Sequence, residues 1–208
     1  MLEELGEKIS NAVENNLDEI TSTQKEIIKY TVIQLVGEFI KMAIMVALVW
    51  PFGIAHLLLI AIFSMGIYRI PSGGAHSKSH IACFITSSIM FLGNVILSSL
   101  LKGTYLDVIY IFIFLFNIPV IHFFAPADTE MKPVVSKKQR KQLKITSYIC
   151  MILTIIIGRF IITDIVIRNI FIFGTFIQSI TMLPPLYRIL KTKYGYRDGI
   201  VVPQIWFF

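Results

Sequence analysis

Long apolar runs separated by short polar breaks dominate this chain. Stretches built mostly from Ile, Leu, Phe, Val and Met cover residues 29–50, 52–68, 80–100, 105–125, 145–163 and 166–186. Each approaches the roughly 20 residues that a helix needs to cross a bilayer. The pattern therefore predicts an all-α integral membrane protein with six transmembrane helices, a bundle over 29–186 in a single membrane-embedded domain spanning 1–208. The first run is interrupted by Glu38 and Lys41, three positions apart and able to pair on one helical face. Trp50-Pro51 predicts a tight turn after it, and Pro184-Pro185 predicts the end of the last run. Ahead of the first run, Leu2, Leu5, Ile9, Val13, Leu17 and Ile20 recur at steps of three and four, which predicts an amphipathic N-terminal helix over 1–22. Its other positions carry Glu3, Glu4, Glu7, Glu14, Asp18 and Glu19 against Lys8, so it is expected not to be a signal peptide. Anionic headgroups repel such a helix, and packing on the bundle or on a partner suits it better than lying on lipid.

Composition sharpens the membrane reading: 55% of the 208 residues are hydrophobic and only 15% are charged, where a soluble domain carries about 25% charged residues. Orientation follows from Lys and Arg, which accumulate on cytoplasmic loops. Lys8, Lys25, Lys29, Arg69, Lys78, Lys132, Lys137, Lys138, Arg140, Lys141, Lys144, Arg188, Lys191, Lys193 and Arg197 all fall on one side if both termini are cytoplasmic, and Lys102, Arg159 and Arg168 fall on the other. The tail 187–208 is then cytoplasmic, as is the polar break at residues 69–80. Cys83 and Cys150 both sit in apolar runs, which excludes a disulfide framework of the secreted kind. The basic cluster Lys137, Lys138, Arg140, Lys141 and Lys144 lacks interleaved aromatics, which argues against nucleic acid. It suits anionic lipid at the membrane face, or an acidic peptide tail.

Chemistry concentrates in one break, Arg69-Ile70-Pro71-Ser72-Gly73-Gly74-Ala75-His76-Ser77-Lys78-Ser79-His80, followed by Cys83. A cysteine nucleophile needs a base beside it. On a straight helix the seven positions from His76 to Cys83 span about 10 Å, too far for contact. Gly73-Gly74 after Pro71 predicts instead a flexible, turning backbone that folds His76 toward Cys83. His80, one turn before Cys83, is a rival base on spacing alone. His76, His80 and Cys83 also share a face that a transition metal prefers, though a fourth ligand is missing. A plain packing role remains open too, with Cys83 as a small core residue and the histidines at the interface.

Arg69, Gly73-Gly74-Ala75-His76 and Cys83 together resemble the signature of the AgrB (accessory gene regulator B) family of membrane cysteine endopeptidases. Ala125-Pro126-Ala127-Asp128-Thr129-Glu130-Met131-Lys132-Pro133 is similar to the central loop of that family. The resemblance implies a thiol protease in the bacterial plasma membrane with its active site toward the cytoplasm. It would cleave the C-terminal tail from a precursor peptide of the AgrD type through a thioester and promote thiolactone closure, giving a quorum-sensing autoinducing peptide. It places the catalytic pair on His76 and Cys83, selecting His76 over His80, and puts conserved supporting positions on Arg69 and Gly74. The backbone amides of Gly73 and Gly74 are expected to receive the oxyanion, and Arg69 and Lys78 to favour a thiolate. Lys137, Lys138, Arg140, Lys141 and Lys144 are candidates to hold the precursor tail. A homodimer is implied, with no metal and no cofactor. The alternative function is a small membrane transporter or peptide exporter, its path lined by Glu38 and Lys41.

Overall fold

The computed structural model describes residues 22–77, 79–129 and 134–195. Residues 1–21 of the predicted helix over 1–22, Lys78, the Glu130–Pro133 part of the second motif and the tail from 196 onward lie outside the described residues. The described residues form helices joined by short connections, with isolated bridges and no strand. The chain divides into two compact units, Met1–Ala55 and His56–Phe208.

In the first unit, α1 (Ser22–Val49) runs 28 residues and gives way to a 3-10 turn at Trp50–Phe52. Pro51 lies in the first turn of that element, where its missing amide is harmless, and the Gly53 amide closes the turn onto Trp50 O at 3.1 Å. The expected pairing within α1 is present, Lys41 Nζ bonding Glu38 Oε1 one turn away.

The second unit holds α2 (Ala55–Ser72), α3 (His80–Leu100), α4 (Leu106–Phe124), α5 (Lys137–Ile156, continued by a π turn at Ile157–Ile161), α6 (Ile165–Ile180) and α7 (Pro184–Ile189). Four described helices are long and apolar enough to cross a membrane: Ala55–Ser72, Ile81–Leu100, Leu106–Phe124 and Lys137–Ile161. Helix α6 is a shorter apolar helix of 16 residues. It ends at Ile180, capped by Thr181, so Pro184-Pro185 does not terminate it; those prolines open α7 instead. The reason is that Pro in a first turn removes only amides that have no intrahelical acceptor.

Polarity is arranged inside out. The exposed face of α3 carries Ile81, Ile85, Ile89, Ile96 and Leu100, whereas Cys83, Asn94 and Ser98 are buried. Water would oppose that distribution, and lipid favours it. Helix α6 packs against α3, α4 and α5 and buries Asn169, Thr175, Gln178 and Ser179. Asn169 Nδ2 donates to Ser98 O (3.0 Å) and Leu101 O (2.9 Å), and its Oδ1 accepts from the Tyr110 hydroxyl. Asn94 Nδ2 donates to Ile170 O at 3.0 Å, and Asn117 Nδ2 to Thr175 Oγ1 at 2.9 Å. Close approach is allowed by Gly174, where a Cβ would stand 2.9 Å from Met65 Cγ. Between apolar helices, such side-chain bonds and small-residue contacts supply the attraction that the hydrophobic effect does not.

Candidate active site

The turn between α2 and α3 is the irregular part of this unit, and its backbone groups are closely accounted for. Gly73 and Gly74 have φ of 71° and 144°, regions that side chains rarely adopt. A Cβ at Gly73 would overlap Ala127 O, and one at Gly74 would overlap Thr181 Oγ1. Ala127, just after α4, and Gly73 form a parallel bridge, in which Ala127 N donates to Ser72 O and Gly74 N to Ala127 O, both at 2.8 Å. On the other side the Ala75 amide reaches Thr181 O (2.9 Å), one of the carbonyls that the end of α6 leaves without an intrahelical donor.

Three side chains complete this clasp. Arg69, in the last turn of α2, donates through Nη2 to Ala75 O (3.0 Å) and through Nη1 to Gln178 Oε1 (3.0 Å). Gln178 Nε2 donates to Gly73 O (2.6 Å) and Ser72 Oγ (3.0 Å). Thr181 Oγ1 lies 3.4 Å from Arg69 Nη1. The bend expected from Gly73-Gly74 is therefore present, and the amides of Gly73, Gly74 and Ala75 and the carbonyls of Ser72, Gly73 and Ala75 each have a hydrogen-bond partner.

Beyond the clasp the chain delivers His76 toward the start of α3. Ser79 is the N-cap, His80 begins the helix, and Cys83 N donates to Ser79 O at 2.8 Å, which places Cys83 at the end of the first turn. Cys83 Sγ and His76 Nδ1 are 3.8 Å apart, within reach of a sulfur hydrogen bond, and Cys83 is 5% exposed. His76 is half-buried. The His80 side chain lies outside the described ones.

Other expected site groups are placed differently from one another. The Gly73 amide donates to Arg69 O (2.9 Å) and that of Gly74 to Ala127 O, so both amides expected as oxyanion donors already hold the bend. Arg69 likewise directs its guanidinium at Ala75, Gln178 and Thr181. Within the basic cluster, Arg140 binds Asp128 Oδ2 (2.9 Å) and Val134 O (3.0 Å), while Lys144 donates to His122 O (2.8 Å). That carbonyl lacks an amide four residues on because the residue there is Pro126. Lys137, Lys138 and Lys141 are exposed on the first turns of α5.

The second motif backs the first. Besides accepting from Gly74 N, Ala127 O accepts from Tyr187 Oη of α7 at 3.0 Å, and Asp128 O accepts from the same hydroxyl at 3.1 Å. Tyr194 stacks on Tyr187 at 3.8 Å and donates to Met182 O (2.8 Å). Gln178, Thr181 and Tyr187 escaped sequence reasoning. The available signal was Asn169, Thr175, Gln178 and Thr181, polar residues separated by multiples of three within one apolar run.

The family model for accessory gene regulator B matches residues 6–182. The chain belongs to the accessory gene regulator B family. An AgrB-like protein of Clostridium perfringens (strain SM101 / Type A) is 33% identical over 149 residues, 69% of each chain. One from Clostridium acetobutylicum is 30% identical over 154 residues, 74% of this chain and 72% of that one. The accessory gene regulator protein B of Staphylococcus aureus (strain N315) is 29% identical over 175 residues, covering 82% of this chain and 87% of its own length. No solved structure matches. Membership in the AgrB family links the chain to accessory gene regulation, and its four long apolar helices fit a membrane setting.

Proposed function

We propose that this AgrB-family chain is a membrane cysteine endopeptidase in which His76 and Cys83 are the catalytic pair. The carrying observation is the 3.8 Å approach of His76 Nδ1 to Cys83 Sγ across a bend secured by hydrogen bonds on both sides. In the proposed reaction Nδ1 accepts the thiol proton as the sulfur attacks a peptide carbonyl carbon of a bound precursor. Collapse of the tetrahedral adduct breaks the C–N bond, the proton passes from His76 to the leaving amine, and a thioester remains on Cys83. Attack by a cysteine thiol of the precursor then transfers the acyl group, returns the proton through His76 and frees Cys83. One thioester replaces another, so ring closure requires no ATP as long as water is excluded, which the buried setting of Cys83 favours.

With the Gly73 and Gly74 amides occupied, the first-turn amides of α3, which precede the helix's first internal bond, are the better candidates to stabilise the oxyanion. The proposed precursor is of the AgrD type, and the exposed Lys137, Lys138 and Lys141 are candidates to hold its acidic tail. The proposed topology has six spans, α1 and α6 counted with the four long apolar helices, which leaves both termini on one side, and the Lys and Arg excess there makes that side, with the candidate site, the cytoplasmic one; the working form is proposed to be a homodimer. Mass analysis of a precursor peptide after incubation with the purified protein tests this. The wild type is expected to yield a shortened, cyclised product, and His76→Ala and Cys83→Ser to leave the peptide intact; cleavage by either variant refutes the assignment.

A further inference from the structure

Gln178 is the feature that the mechanism does not use. A polar side chain that is 0% exposed inside an apolar helix is unfavourable unless its hydrogen-bonding capacity is met. The partners of Gln178 all belong to the bend or its anchor. Its amide nitrogen holds Gly73 O at 2.6 Å and Ser72 Oγ at 3.0 Å, and its amide oxygen receives Arg69 Nη1 at 3.0 Å. The same guanidinium holds Ala75 O, the carbonyl immediately before His76, at 3.0 Å. One side chain thus grips the bend before the glycines and, through Arg69, after them.

We infer that Gln178 is a positioning residue: it fixes the path of Gly73–Ala75 and thereby the approach of His76 to Cys83. The inference rests on the peptidase reading only for the meaning of that approach. Leucine at 178 keeps the bulk but offers neither donor nor acceptor, which releases Gly73 O and lets Arg69 leave Ala75.

The test measures placement directly in the full-length chain, in nanodiscs, with His76→Cys and Cys150→Ser so that the remaining thiols are at 76 and 83. Dibromobimane, which becomes fluorescent when it bridges two nearby thiols, reports how often those positions meet. Gln178→Leu is expected to slow bridging about tenfold, as loss of roughly one buried hydrogen-bonded anchor implies. Asn117→Ala, which removes an α4–α6 bond away from the bend, should lower the thermal midpoint and leave the bridging rate as in the parent. Should Gln178→Leu fail to fold, Ser72→Ala removes one partner of the same amide without a large cavity and is expected to slow bridging about threefold. An unchanged bridging rate in the folded Gln178 variant, or in Ser72→Ala, overturns the positioning role, as does an equal slowing in Asn117→Ala. Precursor cleavage by the wild type against His76→Ala judges the peptidase reading separately, since bridging needs no catalysis.

Discussion

At Asn169, near the start of α6, a buried amide ties three regular helices together through Ser98 O, Leu101 O and Tyr110. Nine residues on, Gln178 is equally buried, yet its partners are the last residue of a helix, a glycine with positive φ and an arginine. The side-chain chemistry is the same and the backbone it meets is not. Where the partners are helices, the amide adds cohesion to a bundle. At the other end it holds backbone that no repeating structure would keep in place, and the proposed chemistry sits on that backbone.

The difference can be broken most severely at Cys83. Cys83→Ser is expected to reduce precursor cleavage by about 10,000-fold or more, as for loss of a nucleophile elsewhere, while thermal unfolding in nanodiscs is unchanged; a residual rate near wild type would detach the chemistry from the bend. Gly74→Ala is next. It puts a Cβ on Thr181 Oγ1 at a φ of 144°, and a loss of about 3 kcal/mol, seen both as a lower thermal midpoint and as lost cleavage, is expected. Asn169→Leu leaves two carbonyls and a tyrosine hydroxyl without their partner and should lower stability by about 1–2 kcal/mol. Its turnover per folded molecule should match wild type, and a selective loss of turnover would erase the distinction between the two ends of α6. The smallest effect is expected from Lys138→Gln with Lys141→Gln: a rise of about threefold in KM for an acidic-tailed peptide, vanishing at high salt, with kcat constant.

Much of the helical layout was legible because apolar run length is a direct signal of helices in lipid. Boundaries were less so. The run over 166–186 looked like one span, but Thr181 caps the helix and the two prolines start another, a distinction that hydropathy does not register. For the candidate site, the meeting of His76 with Cys83 was foreseeable from Gly73-Gly74, since two glycines at that spacing allow the turn that a helix forbids. What fixes the turn was not. The partners of the bend lie far away in sequence, at Ala127 in the second motif and at Gln178, Thr181 and, behind Ala127, Tyr187, which no motif singled out. That the glycine amides already have acceptors was hidden in the same way: Gly73 N reaches back to Arg69 O within α2, and the acceptor of Gly74 N, Ala127 O, belongs to another motif.

The bridge between Gly73 and Ala127 makes two distant sequence motifs one mechanical part. Chimaeras between relatives therefore have a natural seam: a transplanted 69–83 segment should work when its own 125–129 loop travels with it and falter when paired with a foreign one. Alterations in either segment are expected to be tolerated in matched pairs.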